Sequence, residues 1–136
     1  MEIHTIKKDV KVVCIPAKTF PDGILAAHQK LHSIIPYTND RSYYGVSWGD
    51  GNGGIVYKAA STILDDSEME HDDPRIIYHK KGQYLYEILK DYRNNIPGIK
   101  TTFAKLLTDP RIAEDGFCLE AYMTEKDLWC MVKLKE

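Results

Sequence analysis

The chain has 136 residues, of which 43% are hydrophobic, and this length and apolar content fit a single domain with its own core. Lysine and arginine total 18 against 20 aspartate and glutamate residues, which gives a formal net charge of -2. This balance excludes the strongly basic surface that binding to a phosphate backbone requires, so we expect no direct nucleic-acid partner.

The N-terminal segment MEIHTIKKDVKVV has no continuous apolar run and no small-residue cleavage site, so we expect no signal peptide. No apolar run elsewhere approaches the length of a membrane span, and we expect a soluble, cytoplasmic protein without a membrane partner. The cysteines show no C-x-x-C spacing, and we expect buried, reduced thiols at Cys14, Cys118 and Cys130.

The first half of the chain predicts a strand, a helix and a hairpin. VKVVCI (residues 10–15) is rich in β-branched residues and is closed by Pro16, which is typical of a strand. Asp22 opens a helical pattern that Pro36 ends. SYYGVSWG and IVYKAASTIL flank the glycine-rich GDGNGG (residues 49–54), and this arrangement predicts a hairpin. The residues that recur at helical spacing are Ile24, Leu25, His28, Leu31 and Ile35.

The second half repeats this order after DDSEMEHDDPR (residues 65–75), an acidic segment that we interpret as a linker. IIYHKKGQYLYEI predicts one strand, and a helix follows with Asn95 or a neighbour as its N-cap and Pro97 in its first turn. FCLEAYM and LWCMVKL predict a second hairpin across TEKD. One face of this helix is lined by Ile96, Ile99, Phe103, Leu106 and Leu107.

These elements predict an α+β fold built from two strand-helix-strand-strand repeats. Repeat one covers about residues 8–64, the acidic linker about residues 65–75, and repeat two about residues 76–136 of a single domain. Because the order is rich in hairpins, we expect an antiparallel sheet with the two helices on one face and a ligand cleft on the other.

One charged residue interrupts the apolar run of the last hairpin. GFCLEAYM places Glu120 in the middle of a strand, where an ionised carboxylate costs several kcal/mol unless it has a partner or a function. Aligning the two hairpins gives Trp48 the position of Tyr122, and Val46 the position of Glu120. Strand alternation predicts that Phe117, Leu119, Ala121 and Met123 face the helices, and that Cys118, Glu120 and Tyr122 face away from them.

Aromatic side chains around one acid predict a ligand cleft. Large aromatic rings bury apolar area, and their π faces attract cations. A carboxylate at the base of such a cleft would be desolvated, and its pKa would be raised. The residues alone leave an alternative equally open. In that alternative, Glu120 is exposed on an outer sheet face or is paired with Lys58 or Lys133.

The order of elements, the duplicated half, and the segments KGQY (residues 81–84) and LEAY (residues 119–122) resemble the GyrI-like small-molecule-binding family. That family includes gyrase-inhibitory proteins and the effector-binding domains of AraC-type and MerR-type multidrug regulators. The resemblance spans about residues 10–134, and it implies two repeats with a pocket on the open face of the sheet. Because no helix-turn-helix segment flanks the domain, we expect a stand-alone form rather than a regulator.

The same resemblance assigns Glu120 as a pocket acid, ringed by aromatics, that meets lipophilic and often cationic ligands. It implies Tyr122 and Trp48 as walls of the pocket. Val46 and Cys118 are predicted beside them, from the hairpin alignment and the shared strand face. Further aromatic candidates follow, although strand alternation allows only some of them to point into the pocket. They are Tyr44, Tyr57, Tyr84 and Tyr86.

The remaining motifs predict no metal or cofactor site. GDGNGG lacks the Gly-Lys-Ser/Thr ending of a phosphate loop, so we interpret it as a hairpin turn at the rim of the pocket. His71 lies among adjacent acids, which rarely converge on one ion. His28 and His32 have a zinc-like spacing, but His28 lies on the apolar stripe, which is typical of a partly buried core histidine. Cys118 lacks an identifiable histidine base and is a poor candidate nucleophile.

Three functions follow from these residues. We expect a binding protein that captures lipophilic, cationic or aromatic compounds, with Glu120 as the polar anchor and no cofactor. The alternative, which the family resemblance also implies, is a hydrolase of reactive electrophiles that uses Glu120 as general acid or base and Tyr122 as its hydrogen-bond partner. A third possibility is a protein-interaction module such as a gyrase inhibitor, in which the acidic residues 65–73 mimic nucleic acid.

Overall fold

The computed structural model describes residues 1–114 and 116–136, which form eight β-strands and two α-helices. The predicted α+β class is confirmed. The helices are α1 (Ile24–Ile34) and α2 (Ile96–Leu106). The strands are β1 (Glu2–Ile6), β2 (Val10–Pro16), β3 (Tyr43–Gly49), β4 (Ile55–Thr62), β5 (Ile76–His79), β6 (Gly82–Lys90), β7 (Cys118–Tyr122) and β8 (Asp127–Lys133).

All eight strands belong to one antiparallel sheet in the order β1-β6-β8-β7-β3-β4-β2-β5. Strands β7 and β3 therefore lie at the centre, and β1 and β5 lie at the edges. The sheet curls into a half-barrel, which brings the edge strand β5 over the concave face. The rings of His79 on β5 and Tyr44 on β3 lie 4.6 Å apart although two strands separate them in the sheet.

The concave face is filled by side chains of the sheet itself. Its buried residues come from strands β2, β3, β4, β6, β7 and β8. Aromatic rings add to this filling, since Tyr86 and Trp129 stack at 4.6 Å. The buried members of this concave cluster are Val12, Cys14, Val46, Ala60, Tyr84, Leu119, Ala121 and Met131.

The two helices cover the convex face in two separate patches. Helix α1 packs on β2 and β4, and helix α2 packs on β6 and β8. The central strands β7 and β3 therefore lie between the two patches. The buried residues under α1 are Val13, Ile15 and Ala59, and those of the patch under α2 include Leu85, Leu128, Cys130 and Val132.

The predicted orientation of the last hairpin is wrong. Leu119 and Ala121 belong to the concave cluster, whereas Cys118 and Tyr122 pack against the cluster under α2. Glu120 shares this convex face because it lies between them on the same side of β7. A curled sheet supplies its own apolar filling, so the more apolar side of this strand marks the concave face and not the helix-covered one.

The segment predicted as one long strand forms two, and β1 precedes the first predicted strand. Strand β5 pairs with β2 at one edge of the sheet, while β6 pairs with β1 and β8 near the other. The chain changes direction between them, where Gly82 has a φ of +139°. Both predicted hairpins are confirmed by the pairs β3–β4 and β7–β8.

The acidic segment folds against the body of the protein. Asp65 caps a short 3-10 turn at Asp66–Glu68, and its side chain accepts a hydrogen bond from the backbone of Ser67. Glu68 forms a bidentate ion pair with Arg41, with 2.8 Å from Nη1 to Oε1, and this pairing lowers the pKa of Glu68 to about 2. Asp66, Glu68 and Asp73 thus have basic partners in the same chain, which weakens the resemblance of this segment to free phosphates.

All three cysteines carry free thiols. Burial raises the pKa of Cys14 and of Cys130 to about 12, so both remain protonated at neutral pH. Within the described residues, neither helix is long and apolar enough to cross a bilayer.

A buried histidine predicts a pH-dependent stability. His79 is 1% exposed, and its Nε2 has no hydrogen-bond partner among the described residues. Burial lowers its pKa from 6.5 to about 4, so the unfolded chain binds more protons than the folded one below pH 6.5. The resulting stability is present above pH 6.5 and is lost as the pH falls towards 4, by on the order of 3 kcal/mol.

We expect urea denaturation to show this loss between pH 6.5 and pH 4 in the parent protein and a smaller loss in His79→Phe. His28, whose pKa is also lowered to about 4, supplies part of the slope that remains. His71→Asn, at an exposed position, is the matched control and should keep the parent slope. An identical slope in His79→Phe and the parent would contradict the assignment.

Candidate functional site

A row of directly paired residues crosses the convex face of the sheet. It runs from Ala59 through Gly45, Glu120 and Cys130 to Glu87. Ala59 belongs to the cluster under α1, and Cys130 to the cluster under α2. Glu120 therefore lies at the middle of the sheet, in the interval that the two helices leave uncovered.

Four side chains from three elements form a continuous hydrogen-bond chain at this point. The Tyr122 hydroxyl donates to Glu120 Oε1 at 2.8 Å. The hydroxyls of Tyr122 and Tyr57 are 3.3 Å apart, and either can donate. Tyr57 Oη lies 3.0 Å from His28 Nε2 on α1. The chain thus leads from helix α1 to the carboxyl group of Glu120 on β7.

Gly45 provides the space in which this chain forms. A Cβ at position 45 would clash with Tyr57 Oη and would lie 2.9 Å from Glu120 Oε1. The ring of Tyr57, which is 1% exposed, therefore extends across the backbone of β3. Any larger residue at this position would force Tyr57 and Glu120 apart.

The electrostatics of the site follow from burial. Burial raises the pKa of Glu120, and the hydrogen bond from Tyr122 opposes that rise. Burial and the nearby carboxylate raise the pKa of both tyrosines, while burial lowers the pKa of His28 to about 4. The tyrosines and His28 are therefore neutral at pH 7.

A cleft of about 750 Å³ opens above this chain, between α1 and the turn that joins β7 to β8. His28 and Tyr122 line it, whereas Glu120 lies beneath Tyr122. Tyr37 and Tyr43 stack at 5.0 Å on one side, and Tyr92 lies 5.9 Å from the Tyr122 ring on the other. The remaining lining residues are Pro21, Asp22, Ile24, Leu25, His32, Asn39, Arg41, Arg93, Met123, Thr124 and Glu125.

The charges around the cleft are partly neutralised within the protein. Arg41 is held by Glu68, and Arg93 lies 5.9 Å from the ring of Tyr92. Asp22 and Glu125 add two carboxylates to the cleft lining, and no ion pair joins either of them to another described residue. Arg93 keeps its positive charge beside Tyr92 and interacts coulombically with Glu125, so the cleft lining carries charges of both signs.

The predicted site residues divide between the two faces of the sheet. Glu120, Tyr122, Tyr57 and Cys118 lie together on the convex face, where burial and the Glu120 carboxylate raise the pKa of Cys118 to about 11. That thiol is protonated at neutral pH, which disfavours Cys118 as a nucleophile. The predicted residues that lie instead on the concave face are Val46, Trp48, Tyr44, Tyr84 and Tyr86.

The structure corrects the prediction that Trp48 lies beside Glu120, and strand alternation explains the difference. Trp48 alternates with Ser47, and Ser47 is the β3 residue paired with Cys118 on the convex face. The ring of Trp48 therefore lies on the concave face, 6.1 Å from the ring of Phe117. Gly49, the first residue of GDGNGG, borders a cavity of about 510 Å³ beside Trp48 rather than the cleft above Glu120.

Neither lysine proposed as a partner of Glu120 contacts it. Lys58 lies over the ring of Trp48 at 5.7 Å, and Lys133 lies 3.4 Å from Glu136. Glu120 is half-buried, and its Oε1 accepts the hydrogen bond from Tyr122. The proposed lysine pair is therefore wrong, and the acid is not fully exposed on an outer sheet face.

Sequence reasoning missed His28, Gly45 and Tyr92. The apolar stripe of α1 predicts a partly buried histidine at position 28, and the half-buried position confirms this, but the bond from its Nε2 to Tyr57 and its place at the cleft were not predicted. Gly45 gave no signal beyond a glycine within a β-rich run. Tyr92 lies next to Asp91, whose φ of +54° ends β6, and no periodic pattern covers it.

Comparisons with known proteins identify similar folds. No family model and no curated protein sequence matches the chain. An integron cassette protein from the mobile metagenome of Vibrio cholerae is similar in structure, with a TM-score of 0.68, 13% identity, and coverage of 98% of this chain and 95% of that one. A hydrolase from Listeria innocua gives a TM-score of 0.54 at 9% identity, covering 98% and 90%. At these identities the likeness concerns the fold alone.

The space at Gly45 yields a direct test of the site's packing. We expect Gly45→Ala to lower the free energy of unfolding by about 1–3 kcal/mol, because the added methyl group overpacks Tyr57 and Glu120. Gly49→Ala, on the same strand, is the matched control, since its Cβ would meet only the Gly54 carbonyl oxygen at 4.0 Å. Urea denaturation measures both variants. Equal stability of the two would show that the Tyr57 ring does not occupy this space.

Proposed function

We propose that the protein captures lipophilic, cationic or aromatic small molecules in the cleft between α1 and the β7–β8 turn. The observation that carries this proposal is Tyr122, which lines the cleft and whose hydroxyl donates to Glu120 Oε1 at 2.8 Å. Apolar and aromatic contacts supply affinity, and the charge beneath the floor supplies selectivity for cations.

The dimensions and lining of the cleft support a small ligand. Its volume of about 750 Å³ is in the range of sites for drug-sized molecules. Aromatic rings approach from several elements, with His28 edge-on to Tyr122 at 5.7 Å. Leu25 and Met123 expose 69% and 54% of their surface at the rim, where an apolar ligand would cover them.

The family assignment is part of the same proposal. We infer a GyrI-like domain, and the order of the sheet supports its internal duplication. Strands β2, β4 and β3 follow one another on one side of the centre, and β6, β8 and β7 do so on the other. Each set surrounds one helix in chain order, α1 or α2.

A thermal-shift measurement with matched ligands tests the binding proposal. We expect tetraphenylphosphonium to raise the melting temperature more than neutral triphenylphosphine oxide does, because a ligand that binds only the folded state stabilises it. Glu120→Gln should remove most of the additional rise in melting temperature that the cation produces. It should leave the rise produced by the neutral compound unchanged. Glu70→Gln, an exposed carboxylate in the acidic segment, is the control and should behave like the parent.

Equal loss of both shifts in Glu120→Gln would mean that the residue shapes the cleft rather than selects charge. No shift with either compound would refute a cleft for lipophilic cations.

A second candidate function is hydrolysis of electrophilic compounds. It is favoured by the contact between Tyr122 and Glu120, and the similar Listeria innocua protein is described as a hydrolase. In this reaction a water oxygen bonds to the electrophilic carbon as the carbon–leaving-atom bond breaks. The proton of the water passes through Tyr122 to Glu120, and the leaving atom takes up a proton from solvent.

Styrene oxide is a suitable electrophile for testing turnover. If the protein is a hydrolase, diol formation should be abolished by Glu120→Gln and reduced at least tenfold by Tyr122→Phe, because each change interrupts the proton path. Glu70→Gln should retain the parent rate. Turnover that survives Glu120→Gln would exclude this mechanism, and binding without turnover would favour simple capture.

A further inference from the structure

We propose that His28 and Tyr57 are positioning residues that direct the Tyr122 hydroxyl towards Glu120 and thereby control the charge of that carboxyl group. This inference deepens the proposed function, because the charge of Glu120 is what selects the ligand there. It is carried by the unbroken chain of contacts at 3.0, 3.3 and 2.8 Å from His28 through Tyr57 and Tyr122 to Glu120.

The direction of donation along this chain is fixed by simple counting of protons. Each tyrosine hydroxyl has one proton to donate, and neutral histidine has one protonated ring nitrogen. When Glu120 is ionised, Tyr122 donates to it, Tyr57 donates to Tyr122, and His28 Nε2–H donates to Tyr57. When Glu120 is protonated, it can donate to Tyr122, and the order reverses until Tyr57 donates to an unprotonated His28 Nε2.

The chain is the direct route between the cleft and the acid. His28 and Tyr122 line the cleft, whereas Glu120 does not. Because Gly45 has no side chain, the Tyr57 hydroxyl reaches the middle of the chain. A Cβ at position 45 would approach both Tyr57 Oη and Glu120 Oε1. In a low-dielectric site, successive donors polarise one another, so the bond from His28 strengthens the bond that Glu120 receives.

The other titratable groups around Glu120 are neutral or more distant. On β7 and β8 the thiols of Cys118 and Cys130 flank it, and their pKa values are raised by burial and by its charge. Glu87 on β6 lies beyond Cys130 in the same row and pairs with Lys105 of α2 at 2.9 Å. Tyr92 lies beyond Tyr122, and His32 lies one turn after His28 on α1.

The experiment is a titration of Glu120 by ¹³C carboxyl NMR in the ligand-free protein, with Glu120→Gln used to assign the signal. We expect His28→Phe and Tyr57→Phe each to lower the acid dissociation constant of Glu120 about threefold, because each removes a donor that stabilises the carboxylate. The double variant should match Tyr57→Phe, since His28 acts through Tyr57.

Tyr44→Phe is the matched control, because it removes a buried hydroxyl next to Gly45 on the concave face. It should leave the titration of Glu120 unchanged. In the parent protein, ¹⁵N NMR of His28 should show its tautomer changing with the same midpoint as Glu120, a measurement that requires no variant to fold.

Unchanged titration of Glu120 in both His28→Phe and Tyr57→Phe would overturn the proposal, and so would a His28 tautomer that is independent of pH. These outcomes are separate from the failure of ligand binding, because no ligand is present. A protein that binds no lipophilic cation could still show the coupled titration, and a protein that binds one could lack it.

Discussion

Removing a carboxylate from water is unfavourable by several kcal/mol unless hydrogen-bond donors replace the lost water. Glu120 occupies the middle of a row across an eight-stranded sheet, between Cys130 of the cluster under α2 and Gly45, beyond which Ala59 belongs to the cluster under α1. The Tyr122 hydroxyl meets the requirement from the same strand, and Tyr57 reaches it only because Gly45 has no side chain. The convex face is therefore organised around a single acid, and the separation of α1 from α2 leaves that acid below an open cleft.

The curl of the sheet explains why two different environments lie back to back. The concave face excludes water with its own aromatic and aliphatic side chains, including the stacked rings of Tyr86 and Trp129. It needs no helix to cover it, so both helices are available to the convex face. There they stand apart, and the hydrogen-bond chain crosses the interval between them. A core on one side and a cleft on the other thus follow from one curved sheet.

Much of the fold could be predicted from the sequence because its signals are local. Asp-Gly and Asn-Gly steps identify the first hairpin, and Pro36 and Pro97 bound helical spacing that lies next to them in the chain. The division of IIYHKKGQYLYEI into two strands escaped this reasoning. Its two parts pair with strands near opposite edges of the sheet, and nothing within the segment encodes that separation.

The site was predicted in part for the same reason. Alternation along one strand correctly grouped Glu120 with Tyr122 and Cys118, because these residues are neighbours in sequence. It could not decide which side of a curled sheet is covered by helices, since both sides are apolar. His28 and Tyr57 are 29 residues apart in the sequence and meet only in the folded protein. Partners of that kind are set by tertiary packing and leave no periodic signal.

Both tryptophans, Trp48 and Trp129, pack against the concave cluster, on the side of the sheet opposite the cleft. Their indoles are therefore screened by the sheet from any molecule that enters between α1 and the β7–β8 turn. Indole emission therefore reports the integrity of the half-barrel rather than events in the cleft. A ligand held above Glu120 would therefore cause little quenching of tryptophan fluorescence.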